Sequence, residues 1–579
     1  MSSPFYGIDI GASALRAAQQ LLDTAAHNVA NANTPGYSRQ RVTLTEAPPY
    51  TYPSFNRSGL PGQIGSGVTV AAITRVRDNF LDLQVQAQTG LQGEWDTRQQ
   101  ELSKIEAIFP EPSDSGLGGT ISKYWNAWQD VASDPTSTAA RSALTEQAAS
   151  LAMEINRDST QLGMMGSGID SQVSAKVQSI NDLAKQIATL NGQIQRVSVT
   201  GQNPNDLMDQ RNQLLQQLSQ IVPVSLLTRA DGTMNVLVGG TDLVSNVYSR
   251  TISTQTDANG HVQPVWSDGS SLSLPSGELK SLLQVRDEDL AGYEAQLDSL
   301  AKGLADSTNA LQQRGVDATG TAGQPLFTYH AGNEAATIAV NQAIAADPRL
   351  VAAAASPNTP GDGSVAGLIA DLRNATSYVA GDPSTNVMGA TDLTTTATAR
   401  LMTIAASKAK PQTWTFSGAG SSLTLTGANG DQQTITVPDM TAGATQVLNF
   451  DQLGIALTIA APTAAKAGAD LVTDLTTGGH NTLVTASIYT PPQTTSDYYA
   501  GLVGKIGSAS SQAQEMSQNQ QLVVNQLTQR VEETSGVSLD EEATDMVRFQ
   551  HAYQAAARVI TTMDEMLNTL INNTGLVGR

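Results

Sequence analysis

Apolar residues recur at heptad spacing at both ends of this chain. Near the N-terminus Ile8, Gly11, Leu15, Ala18, Leu22, Ala25 and Val29 alternate steps of three and four. Near the C-terminus Met546, Phe549, Tyr553, Ala556, Ile560, Met563, Leu567 and Leu570 do the same. Such spacing lays one narrow apolar stripe along a helix, the pattern of a coiled-coil seam. A helix of this kind is marginal alone in water. Each buried Leu or Ile adds roughly 1.5–3 kcal/mol, and only where a partner covers it. The two ends are therefore expected to pair, with the rest of the chain running out and back between them. Gly11 weakens the first seam, because glycine in a helix interior is unfavourable. The second helix has a written start: Ser538-Leu539-Asp540-Glu541 fits a capping box, and Asp540, Glu541 and Glu542 put negative charge at its positive end.

Between the ends the signals change twice. Val173, Val177, Ile180, Ala184, Ile187, Asn191 and Ile194 form another seam, with one polar residue that can set register. A further helix starts after Pro204, with Leu207, Leu214, Leu218 and Ile221 expected on one face. From 222 to 275, β-branched runs are broken by Asp-Gly and Gly-Gly, which are hairpin signals. Residues 377–487 turn to Thr, Ala and Gly, and "WTFSGAGSSLTLTGANGDQQTITV" reads as at least three strands. The expected fold class is α+β, multi-domain and elongated. Segment 1–75 is a terminal helix plus a turn and extended piece, and 76–221 is the first part of a helical rod. A β-rich segment at 222–275 precedes the return helix at 276–330 and a mixed connection at 331–376. An inserted β-rich outer domain fills 377–487; the last rod helix (488–534) and the C-terminal helix (535–579) follow.

The chemistry of most enzymes is missing from this pattern. The five histidines, His27, His261, His330, His480 and His551, are scattered and none lies in an HExxH pair. There is no GxSxG elbow, no GxxxxGK[ST] loop and no EF-hand loop. With no cysteine, thiolate metal sites, disulfides and cysteine nucleophiles are excluded together. Asp540, Glu541, Glu542 and Asp545 read as a solvated acidic face, and Tyr124, Trp125 and Trp128 as a core anchor. No catalytic residue, metal site or cofactor is expected. A net charge of −21 argues against nucleic acid, and no run of ~18 apolar residues is available to insert into a membrane. The first basic residue is Arg16 and no apolar h-region follows the start, so no cleaved secretory signal is expected.

The stretch "HNVANANTPGYSRQRV" (27–42) is unusual for a helix end. Asn28, Asn31 and Asn33 crowd the last turns, where better helix formers normally stand. Pro35 stops the helix, and Pro35-Gly36 suits the centre of a type II turn. Two readings are open. The amides form a frayed, solvated end, or they bond to neighbouring copies in an assembly, because buried amides need partners that a closed single chain would lack.

The same residues carry a resemblance. "AAHNVANANTPGYSRQRV" resembles the N-terminal signature of flagellar rod, hook and hook-associated axial proteins, and "SGVSLDEEATDMVRFQHAYQAAARVITTMDEML" (535–567) the matching C-terminal one. "NPNDLMDQRNQLLQQLSQIV" (203–222) and "SDYYAGLVGKIGSASSQAQ" (496–514) resemble the hook-associated proteins of the hook–filament junction. The resemblance spans roughly 1–330 and 488–579 and leaves the insert uncovered. It implies a non-enzymatic structural protein, exported by the flagellum-specific type III apparatus and lodged outside the cell in the flagellum. It also implies self-assembly into a ring of about eleven subunits, a closed cyclic arrangement, with hook protein and a second junction protein as neighbours and an export chaperone on the C-terminal helix. Under it Ile8, Leu15, Leu22, Val29, Asn28, Asn31, Asn33, Pro35 and Gly36 serve assembly at one end. Met546, Phe549, Tyr553, Ile560, Met563, Leu567 and Leu570 serve assembly and chaperone binding at the other. A hook or rod subunit is the alternative, with an adhesin or an enzyme acting through 377–487 further behind.

Overall fold

The computed structural model describes residues 6–48, 65–113, 116–380, 400–405, 409–441, 445–460, 465–476 and 482–573. His480 and the remaining parts of the expected 1–75, 377–487 and 535–579 segments lie outside the described residues. In chain order the helices are α1 (Tyr6–Ala30), α2 (Asn79–Ile108), α3 (Leu117–Ser133), α4 (Thr138–Ser198), α5 (Asn205–Ile221), α6 (Glu278–Gln284) and α7 (Ala291–Gln312). The short α8 (Glu334–Thr337), α9 (Gln342–Ala346) and α10 (Ser364–Asp371) come next, then α11 (Gly468–Thr476), α12 (Thr495–Ser535) and α13 (Leu539–Asn573). The chain is α+β and divides into two compact units.

The first unit comprises Met1–Gln99, Ile169–Leu283 and Ala513–Arg579. It holds α1 and α13, an antiparallel ribbon of β1 (Gln40–Glu46) and β2 (Val68–Arg75), and a four-stranded sheet. The sheet runs β3 (Ser225–Thr228), β4 (Met234–Val238), β5 (Thr241–Ser245) and β6 (Tyr248–Ser249), followed by the hairpin β7 (Ile252–Thr256) and β8 (Val262–Trp266). All seven residues of the α4 seam are buried. Asn191 turns out to serve the sheet side: its amide donates to Met234 O at 2.8 Å and Asn246 O at 2.7 Å. On α5 the expected face is corrected. Leu207 and Leu214 are only half-buried, while Asp209, Arg211, Leu215, Leu218 and Ile221 point inward. Two buried charged residues on the inner face shift the stripe that the leucines alone suggested.

The second unit comprises Gln100–Gly168 and Gln284–Gln512. Tyr124, Trp125 and Trp128 of α3 are buried in its helical core, with Tyr124 Oη 3.0 Å from Thr308 Oγ1 on α7. Short pairs, β9 (Val316–Asp317) with β12 (Ala352–Ala354) and β10 (Phe327–Thr328) with β11 (Ala339–Val340), lie between α7 and α10 in sequence. The β-rich part has a five-stranded antiparallel sheet in the order β13 (Ser377–Val379), β20 (Thr482–Ser487), β15 (Thr413–Ala419), β16 (Ser422–Gly427), β17 (Gln432–Thr436). A three-stranded sheet of β14 (Arg400–Ala405), β19 (Ile455–Ala460) and β18 (Thr445–Phe450) accompanies it. Alternating Trp414, Phe416, Leu423 and Leu425 point into one apolar cluster with Phe450 and Leu457. Gly420 and Gly430, both at positive φ, turn the two hairpins.

Asp158 on α4 is 1% exposed, and burial raises its pKa to about 6, the opposing pull of Arg157 notwithstanding. A carboxyl whose folded pKa lies above its unfolded value destabilises the fold once ionised, so stability falls as pH rises from about 4 through 6. Asp158→Asn is therefore expected to be near neutral at pH 4 and stabilising at pH 8. The difference is on the order of 2–3 kcal/mol, read from urea unfolding at the two pH values.

Candidate functional site

Helix α1 packs along α13, so the two terminal seams meet within one chain. Gly11, Ala18, Ala25 and Asn28 of α1 are buried, as are Glu542, Ala556 and Leu567 of α13. Ile8, Leu15, Leu22, Met546, Phe549, Ile560 and Met563 are half-buried. Three seam assignments are corrected. Val29, Tyr553 and Leu570 are exposed, because helical drift brings Asn28 rather than Val29 inward, and Tyr553 and Leu570 lie on the flanks of α13.

Gly11 allows the close approach: a Cβ there would lie 2.8 Å from Ile560 Cγ1. At Gly7 the corresponding contact is the tip of Met563, at 2.7 Å from its Cε. These neighbours differ in compliance, since Met is flexible and Ile is stiff at χ1. Gly7→Ala is expected to gain about 1 kcal/mol from helix propensity. Gly11→Ala is expected to lose about 1–3 kcal/mol by overpacking. Amide exchange along α1 should slow in the first variant and quicken in the second.

Beyond the seam lies a polar hub. Asn28 makes all four bonds its amide can make. Its Nδ2 donates to Gln40 O at 3.0 Å and Glu542 Oε2 at 3.1 Å; its Oδ1 accepts from Gln40 N at 2.9 Å and the Tyr37 hydroxyl at 2.8 Å. The amide is thus buried and satisfied within the chain, so for Asn28 neither open reading, a frayed solvated end or an amide bonded to a neighbouring copy, is what the fold shows. Asn31 caps locally, donating to His27 O at 3.0 Å, while Asn33 is exposed. Thr34 O accepts from Tyr37 N at 3.2 Å across Pro35 and Gly36, and Gly36 has φ +76°, the geometry of a type II turn.

The turn delivers residues 37–40 to three elements. Arg39 Nε donates to Glu542 Oε1 and Nη1 to Glu541 Oε2, both at 2.7 Å, with Asp545 at 3.9 Å. The acidic start of α13 is therefore a binding surface for Arg39, not a solvated face. Glu541 turns its carboxylate to Arg39, so only half of the capping box forms, Glu541 N donating to Ser538 Oγ at 3.4 Å. Arg39 N donates to Ser535 O at 2.8 Å. Burial works to lower the Arg39 pKa, but Glu542 and Glu541 hold it above its usual value. Burial first, then Asp206, Asp209 and Glu542, push Tyr37 far above the ordinary phenol range, so it stays a neutral donor.

On the other side is α5. Ser38, fully buried, donates from N (2.9 Å) and Oγ (2.7 Å) to Asp209, which also accepts from Arg75 Nη1 at 2.8 Å and lies 3.5 Å from Arg77 Nη1. Gln40 Nε2 donates to Asp206 Oδ1 at 2.7 Å, and Asn205 Nδ2 to Gln40 Oε1 at 3.1 Å. Gln213 donates to Pro35 O. Arg211, buried behind this contact, donates to Asn191 Oδ1 at 2.9 Å, and burial lowers its pKa to about 10. Ser38, Arg75, Arg77, Asp206 and Asp209 were not singled out from sequence. The density of Asn, Asp and Arg in 203–211 was the available signal.

The arrangement joins segments of chain far apart in sequence. Among the described residues no group of three His, Asp or Glu side chains is placed to hold a metal, and no helix is long and apolar enough to cross a membrane. His27 lies 3.2 Å from the Tyr37 hydroxyl and belongs to the hub; His261 lies 3.7 Å from Asp170, and His330 and His551 are exposed.

Comparisons with known proteins fall on the same segments. Residues 102–327 match the flagellar hook-associated protein FlgK helical domain. Residues 8–37 match the flagella basal body rod protein family, and 528–573 the flagellar basal body rod FlgEFG protein C-terminal family. The chain is 28% identical to flagellar hook-associated protein 1 of Bacillus subtilis over all of both chains. It is 29% identical to that of Salmonella typhimurium, over 97% of this chain and 98% of the relative. The solved flagellar hook junction protein FlgK from Burkholderia pseudomallei shares the fold with a TM-score of 0.50 at 21% identity, covering 77% of this chain and 99% of that one.

Proposed function

The chain belongs to the flagellar hook-associated protein 1 family of bacterial axial proteins, and from that premise we propose that it is a non-enzymatic adaptor joining hook to filament. As a structural component of the flagellum it works by self-assembly. Copies form a ring of about eleven subunits, one closed cyclic layer, between hook protein and a second junction protein. An export chaperone covers α13 until the subunit has left the cell through the flagellar export apparatus.

The observation that carries this reading is the state of α13. One face is covered by α1, while Val559, Met566, Leu570 and Ile571 remain exposed on other faces. A helix apolar beyond its own partner has further partners to bury against. The assembly residues proposed from the seams divide accordingly. Ile8, Leu15, Leu22, Ile560, Met563 and Leu567 hold the pair, and Leu570, Tyr553 and Val29 face outward for the neighbour or the chaperone.

Immunogold microscopy of sheared flagella, with antibody against residues 377–487, tests the location. A single narrow band between hook and filament is the expected result. Label along the whole hook would make the chain a hook subunit instead.

A further inference from the structure

We propose that the groove between α1, β1 and α13 receives the first turns of α2 from a neighbouring copy of this chain. This rests on the assembly reading above and names the two surfaces that meet. The groove encloses about 600 Å³. Leu21, Val42, Leu44 and Phe549 give it an apolar floor, and Arg41 and Arg548 stand among its polar lining. Leu44 is 42% exposed. Among the described residues Arg41 makes no ion pair, and Arg548 shares Asp545 with Arg39. Glu542 and Asp545 also line it, paired with Arg39 and Arg548, so the groove offers apolar area together with one arginine, Arg41, left for an incoming acid.

The complementary feature lies elsewhere on the same unit. At the start of α2 the Asp78 carboxylate accepts from Phe80 N at 2.9 Å and Leu81 N at 3.4 Å, which fixes the first turn. Phe80 and Leu83 then point into solvent at 66% and 50% exposure, with the small, exposed Ala87 one turn on. Positions i, i+3 and i+7 are the anchors of a helix laid in a groove. Exposed Asp78 beside them supplies a counter-charge for Arg41. Apolar anchors meet an apolar floor, and an acid meets an arginine, so both terms favour the same occupant.

Groove and anchor are different surfaces, so each copy uses its groove on one neighbour and its anchor on the other. Head-to-tail contacts of this type close into rings when the rotation permits.

The absence of cysteine from the chain makes a clean test possible. Phe80→Cys and Leu44→Cys are placed together in the full-length protein, expressed in cells lacking the native copy, and the isolated flagella are oxidised. Both positions are exposed, so the fold is not at stake. Non-reducing gels should show a ladder of dimers and higher multiples for the double variant and monomer for each single variant. Flagella that show the junction band by immunogold but yield only monomer would overturn the groove assignment and leave the adaptor reading standing. A dimer from Phe80→Cys alone would also overturn it, because the contact would then be symmetric. If the double variant does not build flagella, the pair Ala87→Cys with Leu44→Cys, which keeps Phe80 and Arg41, is read in the same way, and monomer from that pair overturns the proposal.

Discussion

Asp209→Ala is expected to destabilise the unit that holds the terminal helices by about 3–5 kcal/mol, the usual cost of removing one partner from a buried charge cluster. Asp209 is 5% exposed and takes hydrogen bonds from Ser38 N, Ser38 Oγ and Arg75, with Arg77 close by. Alanine leaves two mostly buried guanidinium groups facing each other and a buried N–H with no acceptor. The loss then spreads along the turn, since Tyr37, Arg39 and Gln40 are positioned by the same short segment. Asp209→Asn keeps an acceptor for Ser38 and removes the charge, so a smaller loss is expected. Urea unfolding gives the magnitude, and amide exchange over residues 36–40 localises it. A change below about 1 kcal/mol would mean that the hub is not what holds the turn.

Leu567→Asp and Leu570→Asp should both stop swimming, but for different reasons. Leu567 is 8% exposed, and an aspartate there buries a carboxylate with no partner, which loosens the buried face of α13. Leu570 is 55% exposed, so the substitution leaves the pair intact and changes only the outward face. Amide exchange along α1 is expected to quicken sharply in the first variant and to stay unchanged in the second. The apolar cluster around Trp414 and Phe416, which belongs to the other unit, should melt normally in both. Motile cells from both variants would remove α13 from the assembly mechanism.

What was legible in the sequence was whatever repeats locally. Helical spacing marked α1, α4 and α13, and glycine-bearing turns marked the hairpins of β15–β17, because those signals lie within a few residues of each other. The hub was not legible for the opposite reason. Asn28 and Glu542 are 514 residues apart, and Ser38 and Asp209 are 171 apart. Nothing at either position announces its partner, and an acidic helix start looks the same whether solvated or bound. Asn28 and Arg211 also break the rule that polar residues face out, so Val29 on α1 and Leu207 and Leu214 on α5 were read as inward, while Ala18, Ala25, Leu218 and Ile221 lie where the spacing put them. Gly11 was read as a weakness; its value as clearance for Ile560 appears only once the second helix is beside it.

The bond between Asn28 and Glu542 ties together two segments 514 residues apart in the chain. Closing a loop of that length carries an entropic cost that grows with the logarithm of its length. Folding of the intervening units shortens the path and lowers that cost. A copy truncated before α13 would keep Asn28 and Arg39 without acceptors and α1 without cover, however well its middle had folded. The joined termini are thus a property of two distant segments together: neither α1 nor the start of α13 has its polar partners without the other.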